Sequence, residues 1–419
     1  MANATDATGE SATREAAQLG LGAVDSLPEG ALAGRLQAAS KEGRPLRVKL
    51  GIDPTAPDIH LGHAVVLTKL RQFQDAGHRV VLIIGDYTAR VGDPSGRSSL
   101  RPMLSEEQIE ANAATFQAQA LKILDADPER LEVRRNSEWL DMSMIELLAL
   151  LRTTTAAQML ERDDFAKRWV AREPISMLEL LYPLLQGYDS VAVAADVELG
   201  GTDQKFNLLL GRDIQRAYGQ PEQAVMTMPI LVGTDGQRKM SKSLGNQIGV
   251  TDAPEEMYGK TMAIPDEAIE EYYRLLVAPR YVGRESADGD AAAQIVSGKL
   301  SRRDAKHALA RELVSWLYSS EQAAEAAGHF DRVIVRHEAP EEIAAASFLA
   351  SDEGMVHLPG LIATEFGLSR SEARRLIDQG AVTLGDEPLG AGEHDVPSER
   401  AAGMVLKVGR RRFRRLRSQ

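Results

Sequence analysis

The chain has 419 residues, of which 43% are hydrophobic and 26% charged, a composition typical of a globular protein with about two to four domains. It contains no cysteine, which excludes disulfides, thiol catalysis and thiolate metal sites. The net charge of −12 argues against a general affinity for nucleic acids, although residues 354–419 carry 11 basic and only 8 acidic side chains.

The N-terminal sequence and the hydropathy of the chain indicate where the protein works. The first twenty residues lack the basic start and apolar stretch of a signal peptide. No apolar run approaches the roughly 20 residues that a membrane span needs. We therefore expect a cytoplasmic protein with no membrane partner.

Strand and helix patterns alternate in the first half of the chain, after a polar segment (residues 1–29) predicted to be a flexible tail. The strands are predicted at residues 48–52, 79–85, 131–135, 191–199 and 225–232. The main helices are predicted at residues 30–41, 61–77, 177–188 and 203–218, and capping boxes begin further helices at Ser105, Ser143 and Ser176. This order predicts an α/β fold, in which helices cover both faces of a mainly parallel sheet and ligands bind at the carboxyl ends of its strands.

The second half of the chain has little strand pattern before its last module. Residues 253–338 are helical in pattern and are predicted to be a separate domain. An acidic, alanine-rich linker is predicted at residues 339–354, and a compact module at residues 355–419.

The stretch VKLGIDPTAPDIHLGH is a strand, a proline-bounded loop and a helix start. His60 and His63 are three residues apart, so both rings can face the side to which the free N–H groups of the helix point, a place that binds phosphate. Gly62 has no side chain, so a flat ligand could approach the backbone. Two ordinary helix-cap histidines are the alternative, and a zinc site is less favoured because no third ligand is close.

A second motif lies about 180 residues later, in the glycine-bounded loop GTDGQRKMSKSLGNQIG. Lys239 and Lys242 are three residues apart and could form a mobile cationic clamp on a phosphate. Taken alone, such a loop is usually only solvated. No Walker loop or GxGxxG fingerprint occurs in the chain, so phosphate binding must depend on His, Lys and Arg side chains.

The two motifs together resemble the HLGH and KMSKS signatures of class I aminoacyl-tRNA synthetases, and the strings GDPSGRSSLR, LLYPLLQGYDS and ELGGTDQKFNLL are similar to bacterial tyrosyl-tRNA synthetases of the KMSKS subgroup. The resemblance covers residue 30 to the C-terminus. It implies a Rossmann-like catalytic domain over residues 30–232, followed by a KMSKS loop region over residues 233–252. It also implies that the helical domain (residues 253–338) binds the anticodon, and that the last module (residues 355–419) is a small α+β RNA-binding module like that of a small-subunit ribosomal protein.

The resemblance also implies the reaction and its partners. Tyrosine would be activated by ATP, arriving as its Mg²⁺ complex, to tyrosyl-adenylate and pyrophosphate, and then transferred to the 3′ end of tRNA(Tyr). The enzyme would be a homodimer without a dedicated protein-bound metal.

Site residues follow from the same resemblance, position by position. His60 and Thr55 would contact the γ-phosphate and His63 the ribose, while Lys239, Lys242, Arg97 and Arg101 would close on the pyrophosphate. The nucleotide would also lie against Gly51, Asp53, Gly62, Gly200 and Asp203. The amino and carboxylate groups of tyrosine would be held by Asp93, Tyr182, Gln186 and Gln204, and its phenol by Asp189. Binding of tRNA would use Arg370, Arg374, Arg375, Arg410, Arg411 and Arg412.

Residues 182, 186 and 189 also share one helical face, which by itself would equally suit a partly buried amphipathic helix. The chain departs from the family at two positions. Many members have Tyr where this chain has Lys49 and Gln where it has Glu198, which leaves Asp189 as the one phenol contact identified.

Three other functions are compatible with parts of the sequence. They are a tryptophanyl-tRNA synthetase, a metabolic nucleotidyltransferase that also uses HxGH, and an RNA-binding protein that uses only the basic C-terminal segment VLKVGRRRFRRLRSQ.

Overall fold

The computed structural model describes residues 2–55, 57–94, 104–281, 300–335, 343–385, 387–409 and 412–418. The chain divides into two compact units, Met1–Leu317 and Tyr318–Gln419. Within the described ranges, no helix is both long and apolar enough to cross a bilayer.

A six-stranded sheet forms the centre of the first unit, with strand order β1-β6-β5-β2-β3-β4. All neighbours are parallel except β1 and β6. The strands are β1 (Asp25–Leu27), β2 (Arg47–Ile52), β3 (Arg79–Ile84), β4 (Leu131–Arg135), β5 (Val197–Gly201) and β6 (Ala224–Met228). Because β3 and β4 follow β2 on one side and β5 and β6 lie on the other, the order reverses between β2 and β5, where open α/β sheets bind ligands.

Helices connect and cover these strands, in agreement with the α/β prediction. The helices before β5 are α1 (Ala2–Gly20), α2 (Ala31–Glu42), α3 (Leu61–Asp75), α4 (Thr88–Val91), α5 (Glu106–Ala120), α6 (Ser137–Leu140), α7 (Met144–Leu151), α8 (Ala156–Met159), α9 (Asp163–Ala171) and α10 (Met177–Ala192). Those after β5 are α11 (Lys205–Ala217), α12 (Pro254–Met262), α13 (Ile269–Tyr272) and α14 (Arg302–Leu317). The capping boxes at Ser105, Ser143 and Ser176 are present.

The second unit contains β7 (Ala345–Phe348), which pairs in parallel with β13 (Arg412–Ser418). Its larger sheet has the order β10-β9-β12-β13-β7, and β8 and β11 form a separate pair. The remaining elements are α15 (Ser320–Phe330), β8 (Met355–His357), α16 (Leu358–Phe366), α17 (Arg370–Asp378), β9 (Val382–Leu384), β10 (Glu387–Pro388), β11 (Asp395–Pro397), α18 (Ser398–Ala401) and β12 (Val405–Val408).

The structure differs from the sequence predictions at the N-terminus. The segment predicted as a flexible tail (residues 1–29) contains α1 and β1, and Ala12 and Leu19 of α1 are buried. Lys69 of α3 donates hydrogen bonds to the carbonyls of Leu19 and Leu21, at 3.0 and 2.7 Å, and so fastens the end of α1. The segment is mostly polar, so its composition did not indicate that a few apolar residues would be buried.

Two further predictions need correction. The strand predicted at residues 191–199 begins only at Val197, because α10 continues to Ala192 and ends where Ala194 adopts a positive φ of 48°. A short buried apolar run suits a helix end as well as a strand. The predicted linker (residues 339–354) contains β7, whose Ala346 and Phe348 are buried in the core of the last module.

The helices predicted as a separate domain (residues 253–338) are divided between the units. Those up to Leu317 belong to the first unit. There Gln72 of α3 donates a 2.8 Å hydrogen bond to the carbonyl of Pro279.

Candidate active site

The helix start at Leu61 brings His60 and His63 together. The backbone N–H of His60 donates to Nδ1 of His63 at 3.3 Å, and the two rings stack with centroids 3.9 Å apart. A Cβ on Gly62 would lie 2.9 Å from Nδ1 of His60 and 3.6 Å from the Cβ of Met240. A side chain at position 62 would therefore disturb the stacked pair, and the close approach of a ligand to Gly62 stays a prediction.

Both histidines are neutral at pH 7. Burial, with the charges of His63 and Lys239, lowers the pKa of His60 to about 2. Burial and the charge of Lys239 lower the pKa of His63 to about 4. Nδ1 of His60 is buried without a hydrogen-bond partner among the described residues. Neutral rings can orient a phosphate or ribose through one N–H each, without exchanging a proton at neutral pH.

The loop that carries Lys239 and Lys242 is hydrogen-bonded to the same helix start. His60 and Gly249 form an antiparallel bridge. On either side of this bridge, Leu61 N donates to Ile248 O and Val250 N to Ile59 O, both at 2.9 Å. Two motifs that are about 180 residues apart in sequence thus share one backbone contact.

Each lysine of the loop lies close to a carboxylate, and the two carboxylates precede different helices. Lys242 forms an ion pair with Asp58, just before α3. Nζ of Lys239 lies 3.7 Å from Oδ2 of Asp203, which precedes α11. The loop is shaped by Asn246, whose side chain accepts from Ser241 N at 2.8 Å and donates to Asp235 at 3.0 Å.

A buried carboxyl, Asp189 of α10, lies near the end of β2. It accepts from Trp139 Nε1 at 2.8 Å and from Asn136 Nδ2 at 3.4 Å. Burial raises its pKa to about 6, against the lowering effect of Lys49 and the two hydrogen bonds. A Cβ on Gly51 would lie 4.0 Å from Oδ2 of Asp189, an ordinary van der Waals distance, so the end of β2 passes close to this carboxylate.

Asp53 occupies the middle of the site, between α10 and α4. The hydroxyl of Tyr182 donates to it at 2.9 Å, and that of Thr88 at 2.7 Å. Burial raises the pKa of Asp53 to about 7, and the charges of Asp93 and Asp189 contribute to this increase. Asp53 therefore links the predicted nucleotide-binding and tyrosine-binding groups.

A network of amides joins the residues predicted to hold the amino and carboxylate groups of tyrosine. Gln204 donates to Asp93 at 3.0 Å. Asn207 of α11, which is buried, donates to the side-chain oxygens of Gln186 at 2.9 Å and Gln204 at 3.1 Å. Arg162 lies behind this network and donates to Asn207 at 3.3 Å.

The structure brings together most of the predicted site residues of the first unit. Gly200 lies against Gln204, and a Cβ there would be 3.1 Å from the Cβ of that residue. Thr55 is partly buried on the loop after β2, where its N–H donates to Asp53 O at 2.7 Å. Arg97 and Arg101 lie outside the described residues.

The arginines predicted to bind tRNA belong to the second unit. Arg370, Arg374 and Arg375 are exposed on α17, and Arg412 is exposed at the start of β13. Arg410 and Arg411 lie outside the described residues. The roles of these residues, and of those in the first unit, stay predictions.

Several residues of the site were missed by sequence reasoning. They orient other side chains, and they are Asp58, Thr88, Asn136, Trp139, Arg162 and Asn207. One signal was present: Asn136 directly follows β4, at the carboxyl edge where sheet ligands bind. In the described part of the chain, no group of three or more His, Asp or Glu side chains could hold a metal ion.

Comparison with known proteins places these features in a family. The family model described as tRNA synthetases class I (W and Y) matches residues 41–333. The chain is 51% identical to the tyrosine–tRNA ligase of Moorella thermoacetica over 399 residues, which cover 94% of each chain. It is 49% identical to that of Thermotoga maritima over 394 residues, again 94% of each.

A solved structure gives the same result for the fold. The crystal structure of tyrosyl-tRNA synthetase from Archaeoglobus fulgidus, complexed with L-tyrosine, matches with a TM-score of 0.59 and 25% identity. The match covers 76% of this chain and 100% of that one.

Proposed function

Because the chain belongs to the family of class I tRNA synthetases for tryptophan and tyrosine, we propose that it is a tyrosine–tRNA ligase. The observation that carries this proposal is the bridge between His60 and Gly249, which joins the histidine motif to the lysine loop. The same unit contains a buried carboxylate, Asp189. The arrangement suits two substrates that meet at the sheet's reversal point.

In the first reaction, a carboxylate oxygen of tyrosine attacks the α-phosphate of ATP, and pyrophosphate leaves with the electrons of the broken P–O bond. The nucleophile is ionised at neutral pH, so no general base is needed. Neutral His60 and His63 donate hydrogen bonds to the nucleotide. Lys239 and Lys242 exchange their carboxylate partners for the oxygens of the departing pyrophosphate, where the negative charge grows.

ATP is the family's nucleotide substrate and would arrive as a Mg²⁺ complex. The metal would be held by phosphate oxygens and would keep several of its waters, as Mg²⁺ usually does. Thr55, Arg97 and Arg101 are proposed to complete the phosphate contacts. In the second reaction, a ribose hydroxyl at the 3′ end of tRNA attacks the tyrosyl carbonyl, and AMP leaves.

Selection of tyrosine is proposed to depend on Asp189, whose carboxylate would accept a hydrogen bond from the phenol. A buried acceptor of this kind is left without its donor when phenylalanine binds, which costs about 10⁴ to 10⁵ in specificity, a magnitude already known for tyrosyl-tRNA synthetases. Tyr182, Gln186, Asp93 and Gln204 would hold the amino and carboxylate groups. A tryptophan substrate offers no phenol hydroxyl for this acceptor.

We also propose that the enzyme is a homodimer. The first unit exposes a group of large apolar side chains on α7, α9 and the start of α10, all more than half exposed: Met144, Ile145, Leu148, Trp169, Val170 and Met177. The ion pair between Arg168 and Glu179 holds α9 against α10. Apolar surface of this size usually marks an interface. Light scattering should give twice the 45.6 kDa chain mass, and Ile145→Asp with Val170→Asp should give a monomer.

The tRNA is proposed to contact the exposed arginines of the last module, and the cytoplasm is the proposed location of the enzyme. One experiment tests the proposed reaction directly: exchange of labelled pyrophosphate into ATP, with each of the twenty amino acids in turn. Exchange with tyrosine alone is expected. Exchange with tryptophan would favour the other enzyme of the family, and no exchange with any amino acid would contradict the proposal.

A further inference from the structure

Two charged side chains lie side by side at the reversal point of the sheet. Lys49 of β2 and Glu198 of β5 are partners in the parallel register. They are 0% and 1% exposed, and Nζ of Lys49 lies 2.8 Å from Oε1 of Glu198. Removal of either side chain would leave the other as an unpaired buried charge, which is strongly destabilising.

The ammonium group of Lys49 is saturated by protein acceptors. Besides Glu198, it donates to the carbonyl of Gln186 and to Oγ of Ser190, both at 2.9 Å. An ammonium has three N–H donors, and these three contacts use all of them. Lys49 therefore has no N–H left for a ligand, and a direct contact with the phenol of tyrosine is excluded in this arrangement.

The second oxygen of Glu198 is also engaged. It accepts from Ser190 Oγ at 3.1 Å and from the side-chain amide of Gln223. The pair is thus fastened to α10 at two points, Gln186 and Ser190, which lie on either side of Asp189 in the sequence. The helix that carries the phenol acceptor is held to the sheet by this pair.

We propose that Lys49 is a positioning residue for tyrosine selection: with Glu198 it fixes α10, and with it the phenol acceptor Asp189, against the sheet. This inference rests on the proposed function. Because Lys49 and Glu198 carry opposite charges, they have opposite effects on the pKa of Asp189.

The charged and titratable groups that face Asp189 come from three elements. Lys49 on β2 lowers the pKa of Asp189, whereas Glu198 on β5 raises it. Asp53, after β2, and Tyr182, on α10 itself, also interact with its charge. Removal of the cation and removal of the anion should therefore move the titration of Asp189 in opposite directions. If the pair had a purely structural role, the two substitutions would not be expected to shift the pKa of Asp189 in opposite directions.

The test compares the full-length protein with Glu198→Gln, with Lys49→Met and with the double variant. The measured quantity is the ratio of kcat/KM for tyrosine to that for phenylalanine in pyrophosphate exchange, followed from pH 5 to 9. This ratio isolates the phenol contact, because groups that serve both amino acids cancel. In the wild type it should fall as pH falls through the pKa of Asp189, near 6.

In Glu198→Gln the ratio should fall at a pH about one unit lower than in the wild type, and in Lys49→Met at a pH about one unit or more higher. The double variant should lie between the two single variants. Glu179→Gln is the matched control, since it removes a buried carboxylate, paired with Arg168, from the first turn of the same helix. Glu179→Gln should lower the midpoint of thermal unfolding and leave the pH at which the ratio falls unchanged.

The inference would be overturned if the pH at which the ratio falls stayed the same in both single variants, or if it moved in the same direction in both. If Lys49→Met does not fold, the direction in Glu198→Gln still decides, because an upward or absent shift there contradicts it. Wild-type protein without tyrosine-dependent exchange would instead refute the proposed function.

Discussion

Lys242, in the loop after β6, is paired with Asp58, two residues before the first histidine of the site. Both side chains are partly exposed, at 50% and 32%. The lysine proposed to follow the charge of the departing pyrophosphate is thus held by a protein carboxylate. On that proposal, ATP binding replaces this ion pair by a lysine–phosphate contact.

Asp58→Asn should therefore lower the KM for ATP. Exposed ion pairs are worth about 0.2–1 kcal/mol, so the expected decrease is about 1.4- to five-fold, with little change in the KM for tyrosine. Pyrophosphate exchange at varied ATP measures it. Asp75→Asn is the control, because Asp75 forms a similarly exposed pair with Arg71 at the other end of α3. An increase in the KM for ATP would show that Asp58 serves the nucleotide itself.

Asn207 is predicted to orient the amides that bind the ends of the amino acid. Asn207→Asp keeps the shape of the side chain but cannot donate to Gln186 and Gln204. Loss of this donor from two partly buried acceptors costs about 1–3 kcal/mol, so the KM for tyrosine should rise about 5- to 150-fold while the KM for ATP changes little.

The control for this change is Gln74→Glu. Gln74 is a buried amide in α3 that also donates to two carbonyls, those of Asp125 and Arg130. Its replacement should lower stability and leave the KM for tyrosine unchanged. Equal changes in both variants would assign Asn207 to folding alone.

The limits of sequence reasoning can be seen in these residues. Local patterns predicted the strand over residues 131–135 correctly, as well as the capping box at Ser176, because neighbouring residues determine them. The pairing of Lys49 with Glu198 depends on the register of two strands about 150 residues apart. The role of Asn207 depends on three elements packing together. No local periodicity carries such information, so the pair looked like two unrelated departures from the family.

Asp189→Ala should narrow the discrimination between tyrosine and phenylalanine. The penalty for an unpaired carboxylate disappears with the side chain, so the ratio of kcat/KM values should fall by about two orders of magnitude or more. Pyrophosphate exchange with each amino acid gives this ratio. Asp196→Ala is the control, since Asp196 is buried and paired with Arg35 and Arg44 in another part of the unit. Unchanged discrimination in Asp189→Ala would place phenol recognition on another group.

The two site histidines should make the first unit less stable in acid. Burial lowers their pKa values to about 2 and 4, whereas in the unfolded chain they titrate near 6.5. Below pH 6.5 the unfolded chain therefore binds protons that the folded chain does not, and each histidine reduces the free energy of unfolding by about 1.4 kcal/mol per pH unit until its folded pKa is reached. Asp53 and Asp189, whose pKa values are raised, act in the opposite direction.

Comparison of variants isolates the histidine contribution. His60→Asn with His63→Asn should give a shallower loss of stability between pH 6.5 and 4 than the wild type. Urea unfolding followed by tryptophan fluorescence measures it, because Trp139, Trp169 and Trp316 all lie in the first unit. His329→Asn, in the second unit, is the control. A double variant with the wild-type slope would contradict the burial of neutral rings.

The exposed arginines of α17 should matter for tRNA and not for activation. Arg370, Arg374 and Arg375 lie on a helix whose buried residues, Ala373 and Ile377, face the core of the last module. Replacing all three arginines with glutamine should leave that core intact. Each lost phosphate contact should weaken tRNA binding and reduce its dependence on salt, because fewer counterions are released.

The expected result is tyrosine-dependent pyrophosphate exchange close to that of the wild type, with a rise of at least ten-fold in the KM for tRNA in aminoacylation. The full-length triple variant is preferable to a chain cut near Gly354, because such a cut separates β7 from its partner β13. Arg414→Gln provides the matched control: this arginine of β13 is paired with Glu365 and stacks on Phe366, so its loss should affect stability more than tRNA binding. If the triple variant loses exchange as well, the module supports the catalytic unit, and if aminoacylation is unchanged at every salt concentration, the α17 arginines do not contact tRNA.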